Sequence, residues 1–152
     1  MFAWGNMTYR KAVFAVVYAI ENNKIYYFIL KRKLHWKGWE FTKGGVEKNE
    51  TYSKAAKREV YEETGQKPRK IKSFNISGKY KYHKLLKDRP GFIGQEYKLF
   101  SAQISKGKIK LDKKEHSGFK WLSYNLALKK LTWSNQKKCL KIVNNFLSSN
   151  RF

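Results

Sequence analysis

Three glutamates with helical spacing are the residues in this chain whose types and positions first suggest chemistry. Glu59, Glu62 and Glu63 stand at i, i+3 and i+4, so a helix would bring their carboxylates onto one face. Like charges so close repel one another and need a compensating cation, either from the protein or as a divalent metal ion. Carboxylates without a histidine or cysteine nearby in the sequence favour Mg²⁺ or Mn²⁺. The alternative is an ordinary solvated acidic face, and spacing alone does not separate the two.

The acidic cluster is unusual because the chain as a whole is strongly basic. Its 152 residues include 34 Lys and Arg and 11 Asp and Glu, which gives a formal net charge of +23. Five of the 11 acidic residues fall within residues 43–66. An electropositive surface attracts polyanions, so phosphate-rich partners are expected, with composition bias or growth at high temperature as the alternative.

The element that must position the glutamates is a helix predicted over residues 51–64. Thr51 or the asparagine before it can cap its start, and Ala55 and Ala56 favour its interior. Gly65 is placed to end it in the left-handed conformation, and Pro68 blocks continuation.

The rest of the chain reads as strands followed by a final helix. β-branched and aromatic segments predict a hairpin over residues 12–20 and 25–30, and their near-continuous apolar character indicates a sheet covered on both faces. A second amphipathic helix is predicted over 134–147. Further strands are predicted over residues 71–82, 95–104, 108–111 and 119–122.

Length and composition favour one domain over residues 1–152, with neither a signal peptide nor a bilayer-spanning run. The single cysteine, Cys139, excludes an internal disulfide and fits a buried position in a protein of the reducing cytoplasm. The three histidines, His35, His83 and His116, show no metal-binding spacing and are expected to be peripheral. No oligomeric state is predicted.

The wider pattern around the glutamates resembles a known motif. Gly44, five residues, Glu50, seven residues and then "REVYEETG" over 58–65 match every fixed position of the Nudix box, G, five residues, E, seven residues, R-E-U-x-E-E-x-G-U. In this pattern U is a bulky aliphatic residue. The box covers residues 44–66, and its one departure is Gln66 at the final U position.

The resemblance implies both a fold and roles for the matched residues. The implied fold is α+β, an α/β/α sandwich with a mixed β-sheet between helices. Glu59, Glu62 and Glu63 would bind Mg²⁺ or Mn²⁺, and Glu59 would also orient or deprotonate the attacking water. A backbone carbonyl near Gly44 would add a metal ligand. Glu50 and Arg58 would pair with each other and support the loop against the helix.

Segments outside the box resemble two branches of the Nudix hydrolase family. "HWKGWEFTKGGVE" is similar to diadenosine tetraphosphate hydrolases and to bacterial RNA pyrophosphohydrolases, and "RPGFIGQEYKLFSAQI" is similar to the RNA-acting branch. "EHSGFKWLSY" resembles a segment found in both branches, and there the family places another metal-binding carboxylate, which falls on Glu115.

Four further residues are candidates for binding the substrate. The resemblance implies that Arg10 and Arg32 reach its phosphates, and Lys43 directly adjoins the box. Each of these cations could instead be an ordinary surface residue, and Lys43 could pair with an acid. Tyr82 is the leading candidate for stacking on a base, with a place in the core as the alternative.

The predicted function is therefore metal-dependent hydrolysis of a pyrophosphate bond in a nucleoside polyphosphate. The leading substrate class is a dinucleoside polyphosphate such as diadenosine tetraphosphate, followed by the 5′-triphosphate end of RNA, which the basic surface could attract. A damaged nucleoside triphosphate or ADP-ribose is an alternative among enzymes. A non-catalytic nucleic-acid-binding protein on the same scaffold is an alternative of a different class.

Overall fold

A computed structural model describes residues 8–150 of the chain. Its elements, in chain order, are β1 (Thr8–Glu21), β2 (Lys24–Arg32), β3 (Gly38–Glu40), β4 (Thr42–Gly45), α1 (Tyr52–Thr64), β5 (Lys70–Lys81), β6 (Phe92–Gln103), β7 (His116–Leu122), α2 (Tyr124–Lys130) and α3 (Ser134–Asn150).

The predicted hairpin is confirmed as β1 and β2. Glu21 pairs with Lys24, and the two residues between them, Asn22 and Asn23, have φ values of 52° and 63°. Asparagine tolerates this left-handed conformation, which a tight two-residue hairpin requires at both positions.

One mixed sheet of seven strands forms the centre of the molecule. The strand order is β3-β2-β1-β6-β5, with β1 and β6 parallel and the other pairs antiparallel. Residues 38–45 run between β2 and β1, because β3 pairs with β2 while β4 pairs with β1. β7 occupies the other side of β2. This arrangement brings the segment before the predicted metal site into the interior of the sheet.

Helices cover both faces of the sheet, so the predicted α/β/α sandwich is confirmed. α1 packs on one face through Ala55, Ala56 and Val60. α2 and α3 pack on the other face, where Cys139 is buried in the main core as expected. β1 is buried on both sides because its alternate residues contribute to the two opposite cores.

Three short elements were not predicted, and one predicted strand is wrong. β3, β4 and α2 are short, and β4 pairs with β1 rather than with a neighbouring strand in the sequence, so periodicity does not reveal them. Residues 108–111 form no strand. Instead the Lys110 amide donates to the Thr64 carbonyl at 2.8 Å, so this segment closes the end of α1. Within residues 8–150, no helix combines the length and the apolar character needed to cross a bilayer.

Candidate functional site

Helix α1 presents the three glutamates, and its ends are fixed as the sequence predicts. The Thr51 side chain accepts a hydrogen bond from the Lys54 amide at 3.1 Å, which caps the start of the helix. Gly65 adopts φ 79°, and its amide donates to the Tyr61 carbonyl. The helix is therefore a defined support for the carboxylates it carries.

Arg58 is the cation that compensates the repulsion within the cluster. Its Nε lies 2.8 Å and its Nη2 lies 2.9 Å from the Glu50 carboxylate, which confirms that the two residues pair. Its Nη1 donates to Glu59 at 2.7 Å and to Glu62 at 3.0 Å, and its Nη2 also donates to the Gly45 carbonyl at 2.8 Å. Hydrogen bonding to Glu50 raises the pKa of Arg58, and the same contact lowers the pKa of Glu50.

Glu59 lies directly beneath the loop that enters the box. A Cβ atom at Gly44 would overlap the Glu59 carboxylate, so only glycine allows this approach. Burial raises the pKa of Glu59 to about 8, in spite of the opposing effect of Arg58. A nearby cation would stabilise the ionised form of this buried carboxylate, which fits the chemistry of a divalent metal site.

Glu63 contacts a buried histidine. Its Oε2 lies 2.9 Å from His116 Nδ1, and His116 Nε2 lies 2.6 Å from Glu40 Oε2. Burial alone would lower the pKa of His116, but the two carboxylates outweigh it and raise this pKa to about 9. The expectation that His116 is peripheral is therefore wrong: it is 1% exposed and adjoins a predicted metal ligand.

Glu40 is fully buried and is neutralised by three cations. Its carboxylate contacts His116, Arg32 Nη1 at 3.1 Å and Lys43 Nζ at 3.3 Å. Burial would raise the pKa of Glu40, but Lys43, His116 and Arg32 together lower it to about 2. Glu40 thus links Lys43 to His116, and His116 in turn contacts Glu63.

Glu115 completes the acidic group from the β7 side. Ligand atoms of Glu63, Glu115 and His116 all lie within 4.8 Å of one another. Glu115 also approaches Arg32 Nη1 at 3.6 Å. Carboxylates from α1 and from the residue before β7 are thus brought together, and carboxylate oxygens are ligands that suit Mg²⁺ or Mn²⁺.

A cleft opens on the face of the sheet that carries α3. Its volume is about 460 Å³. Its walls are aromatic and basic, and they include Phe14, Arg32, Trp36, Lys43, Tyr80, Tyr82, Arg89 and Trp133. Lys43 Nζ lies 5.5 Å from the centre of the Trp36 ring and 5.6 Å from that of Tyr80. Such walls can hold a planar base together with its phosphates.

Gln95 organises the cations beside this cleft. Its Oε1 accepts hydrogen bonds from Arg10 Nη1 at 3.2 Å, Tyr82 Oη at 3.1 Å and Arg89 Nη1 at 2.6 Å. The Arg10 guanidinium also lies against Gly45, where a Cβ would overlap it. Gln95 therefore brings Arg10 and Tyr82 together, with Arg10 beside the box.

Comparison with known proteins decides the family. A sequence model of the NUDIX domain matches residues 8–141. The chain belongs to the NUDIX family. An RNA pyrophosphohydrolase from Histophilus somni is 27% identical over 119 residues, which are 71% of this chain and 62% of that relative. The chain thus spans about three fifths of the length of this relative.

Solved structures share the NUDIX fold over nearly the whole chain. A Listeria monocytogenes protein classed with the NUDIX hydrolases superposes with a TM-score of 0.77 at 24% identity, covering 91% of this chain and 94% of that one. An Ap4A hydrolase from C. elegans gives 0.73 at 22% identity, covering 92% and 98%. At these identities the likeness concerns the fold.

The irregular position of the NUDIX box, Gln66, has a structural role of its own. Its Oε1 accepts from the Ser105 amide at 3.1 Å, and its Nε2 donates to the Ser105 carbonyl at 3.0 Å. A second donation reaches the Lys108 carbonyl at 3.3 Å. The amide side chain therefore fastens the end of the box to the segment after β6 through hydrogen bonds.

The sequence did not identify four residues that lie around the candidate site, namely Glu40, Arg89, Gln95 and His116. All four stand in segments that showed a family resemblance: Glu40 lies in "HWKGWEFTKGGVE", Arg89 and Gln95 lie in "RPGFIGQEYKLFSAQI", and His116 lies in "EHSGFKWLSY". The polar residues in those segments were the available signal. Arg32 was expected to reach the substrate phosphates. In the structure its side chain is 3% exposed and forms ion pairs with Glu40 and Glu115.

Proposed function

We propose that this protein is a divalent-metal-dependent pyrophosphohydrolase that acts on a nucleoside polyphosphate. The observation that carries the proposal is the position of a carboxylate cluster next to a basic, aromatic cleft. The acidic group suits metal ions, and the cleft suits a nucleotide. The lone buried cysteine agrees with action in a reducing cytoplasm.

The metal would be held by Glu59, Glu62, Glu63 and Glu115 together with the backbone carbonyl near Gly44. When bound, Mg²⁺ or Mn²⁺ would supply a water molecule of lowered pKa and positive charge to offset the negative charge that develops on the phosphates. Glu59 would orient the attacking water or accept its proton. Arg58 would hold Glu59 and Glu62 in place while it remains paired with Glu50.

The substrate would lie across the cleft with its phosphates towards the carboxylates. Arg10 and Lys43 would contact phosphate oxygens, and their positions beside the glycines of the box support these contacts. Arg32, which also lines the cleft, would attract the phosphates through its positive charge. Tyr82 would stack on a base from its position between Gln95 and Arg89. Each contact is part of the proposal.

Among substrates, the 5′-triphosphate end of RNA takes first place and a dinucleoside polyphosphate takes second. RNA is favoured by the net charge of +23 and by the name of the curated relatives, RNA pyrophosphohydrolase. This reverses the order that the sequence alone suggested. A dinucleoside polyphosphate is favoured by the aromatic walls of the cleft, which suit a second base as well.

A product screen tests the proposal directly. The protein is incubated with 5′-triphosphorylated RNA, diadenosine tetraphosphate, ADP-ribose or nucleoside triphosphates, with Mg²⁺, with Mn²⁺ or with EDTA, and the products are separated by anion exchange. We expect metal-dependent release of phosphate or pyrophosphate from RNA, or of mononucleotides from diadenosine tetraphosphate. If no substrate is cleaved with either metal, the protein is a non-catalytic member of its family.

A further inference from the structure

One face of the sheet carries lysines to which the proposed reaction assigns no contact, and two of them, Lys79 and Lys81, also line the edge of the cleft. It lies on the same side of the sheet as α1, beyond the start of that helix. We call it the lysine face and define it by Tyr9, Lys11, Tyr52, Lys79, Lys81 and Lys98.

The strand register places these residues side by side. Lys11 on β1 pairs with Glu96 on β6, and Glu96 pairs with Lys79 on β5. In the next row, the buried Val13 pairs with Lys98. Because directly paired residues point to the same side of a sheet, these lysines share the side on which Val13 packs against α1. Neighbouring strands are about 4.8 Å apart, so the row from Lys11 to Lys79 spans roughly 10 Å.

The positive charge of this face is largely uncompensated. The four lysines are exposed, and no ion pair within residues 8–150 involves any of them. Glu96 is the single acidic side chain in the rows formed by Lys11, Lys79 and Lys98. The face therefore presents an excess of positive charge to the solvent.

Two tyrosines fix the position of this charge. Lys79 Nζ lies 4.8 Å from the centre of the Tyr9 ring, and Lys98 Nζ lies 4.2 Å from that of Tyr52. A cation over an aromatic ring is attracted to it, and this attraction restricts the motion of a long side chain. The ammonium groups are thus partly ordered before any ligand arrives, which lowers the entropy lost on binding.

The lysine face adjoins the phosphate end of the proposed site. Arg10 and Lys11 are consecutive on β1, so their side chains leave the strand on opposite faces. Arg10 contacts Gln95 and lies against Gly45, whereas Lys11 belongs to the lysine face. A long polyanion whose end lies near Arg10 can therefore continue over the end of the sheet onto Lys11 and its neighbours.

We propose that the lysine face binds the sugar-phosphate backbone of a single-stranded RNA. Exposed lysines that lie over tyrosine rings suit a chain of repeating phosphates and bases. A membrane surface is less suitable, because none of the large apolar side chains exposed in the described part of the chain belongs to this face. Only the suggestion that the RNA 5′ end occupies the cleft rests on the proposed function; binding of the backbone does not.

The test compares two variants that lose the same charge. One is Lys11→Gln/Lys79→Gln/Lys98→Gln, and its matched control is Lys24→Gln/Lys138→Gln/Lys141→Gln, whose lysines are exposed elsewhere. The probe is a fluorescent single-stranded RNA of about 12 nucleotides with a 5′-hydroxyl end, so that binding needs no triphosphate. Affinity is measured by anisotropy in the wild type and both variants from about 50 to about 200 mM NaCl.

We expect the first variant to bind RNA at least about tenfold more weakly at low salt. The slope of log affinity against log salt should fall by about 2, because each lost phosphate contact removes about 0.7. The control should change affinity less than about twofold, since binding depends on local contacts rather than on total charge.

Equal weakening in both variants would overturn the proposal, because the effect would then come from net charge alone. Unchanged RNA affinity in the first variant, with loss of binding to vesicles of phosphatidylcholine and phosphatidylserine in equal parts, would reassign the face to membranes. If RNA binding is lost as expected but the wild type cleaves no substrate, the lysine face is supported and the proposed hydrolase activity is not.

Discussion

His116 and Glu40 are 76 residues apart in the sequence, yet His116 Nε2 lies 2.6 Å from Glu40 Oε2 in the interior of the protein. The other ring nitrogen of His116 faces Glu63. A histidine with a carboxylate on each side is most stable as the imidazolium, because both nitrogens can then carry a proton. The contact therefore joins β3, β7 and α1 through alternating charges.

Replacement of Glu40 by glutamine should destabilise the protein in a pH-dependent way. The variant leaves Arg32, Lys43 and His116 without their shared carboxylate, so we expect a loss of about 3 kcal/mol near neutral pH. The pKa of Glu40 is lowered from 4.5 to about 2. Its contribution to stability is therefore complete above pH 4.5 and is lost as the pH falls from there towards 2.

Urea unfolding of the wild type and of Glu40→Gln, measured between about pH 7 and pH 3, checks this expectation. The difference between the two proteins should shrink as the pH falls. Glu21→Gln is the control, because Glu21 is exposed at the β1–β2 turn. A difference that stays constant over the whole range would show that Glu40 is not bound as a carboxylate.

Glu62→Gln should remove most turnover without loss of the fold. The Glu62 side chain is 46% exposed and its one close partner among the described side chains is Arg58, so its neutral replacement should unfold at nearly the same temperature. Metal ions contribute several kcal/mol to the transition state, and we therefore expect turnover to fall by about two to three orders of magnitude. Steady-state kinetics with Glu21→Gln as the control decide the point, and wild-type turnover in Glu62→Gln would contradict the metal-site assignment.

Gly44→Ala should weaken metal binding more than it weakens the fold. The added Cβ would overlap the Glu59 carboxylate and displace it from the neighbouring backbone. Gly118→Ala is a matched control, because a Cβ there meets no atom within 4 Å. Titration with Mn²⁺ followed by electron paramagnetic resonance should show an affinity about tenfold or more lower in Gly44→Ala alone. Equal affinities would place the metal away from Gly44.

Arg58→Lys should destabilise the metal-free protein although the charge is kept. Arg58 contacts Glu50 through two nitrogens and also reaches Glu59, Glu62 and the Gly45 carbonyl, which a single ammonium group does not reproduce. We expect a loss of about 1–3 kcal/mol in thermal or urea unfolding. Arg69→Lys, at an exposed position, should be near neutral. Similar small losses in both variants would show that charge alone matters.

The parts of the structure that depend on neighbours in sequence were predictable, and those that depend on distant partners were not. The start and end of α1 follow from Thr51 and Gly65, whose capping acts within a few residues. The spacing of His116 in the sequence did not reveal its role, because its partners lie 53 and 76 positions away. The apolar residues of 108–111 do pack, but against the core beneath α1 and not in a strand.

The position of residues 38–45 between β2 and β1 determines the geometry of both halves of the site. Phe41 belongs to the core on the α3 side and Lys43 lines the cleft there, while Gly44 faces Glu59 on the α1 side. A slip of the segment by a single residue against β1 would exchange the two faces. It would carry the lysine into the acidic cluster and leave the cleft without its cation, so one inserted residue here could disable the protein while every glutamate stays in place.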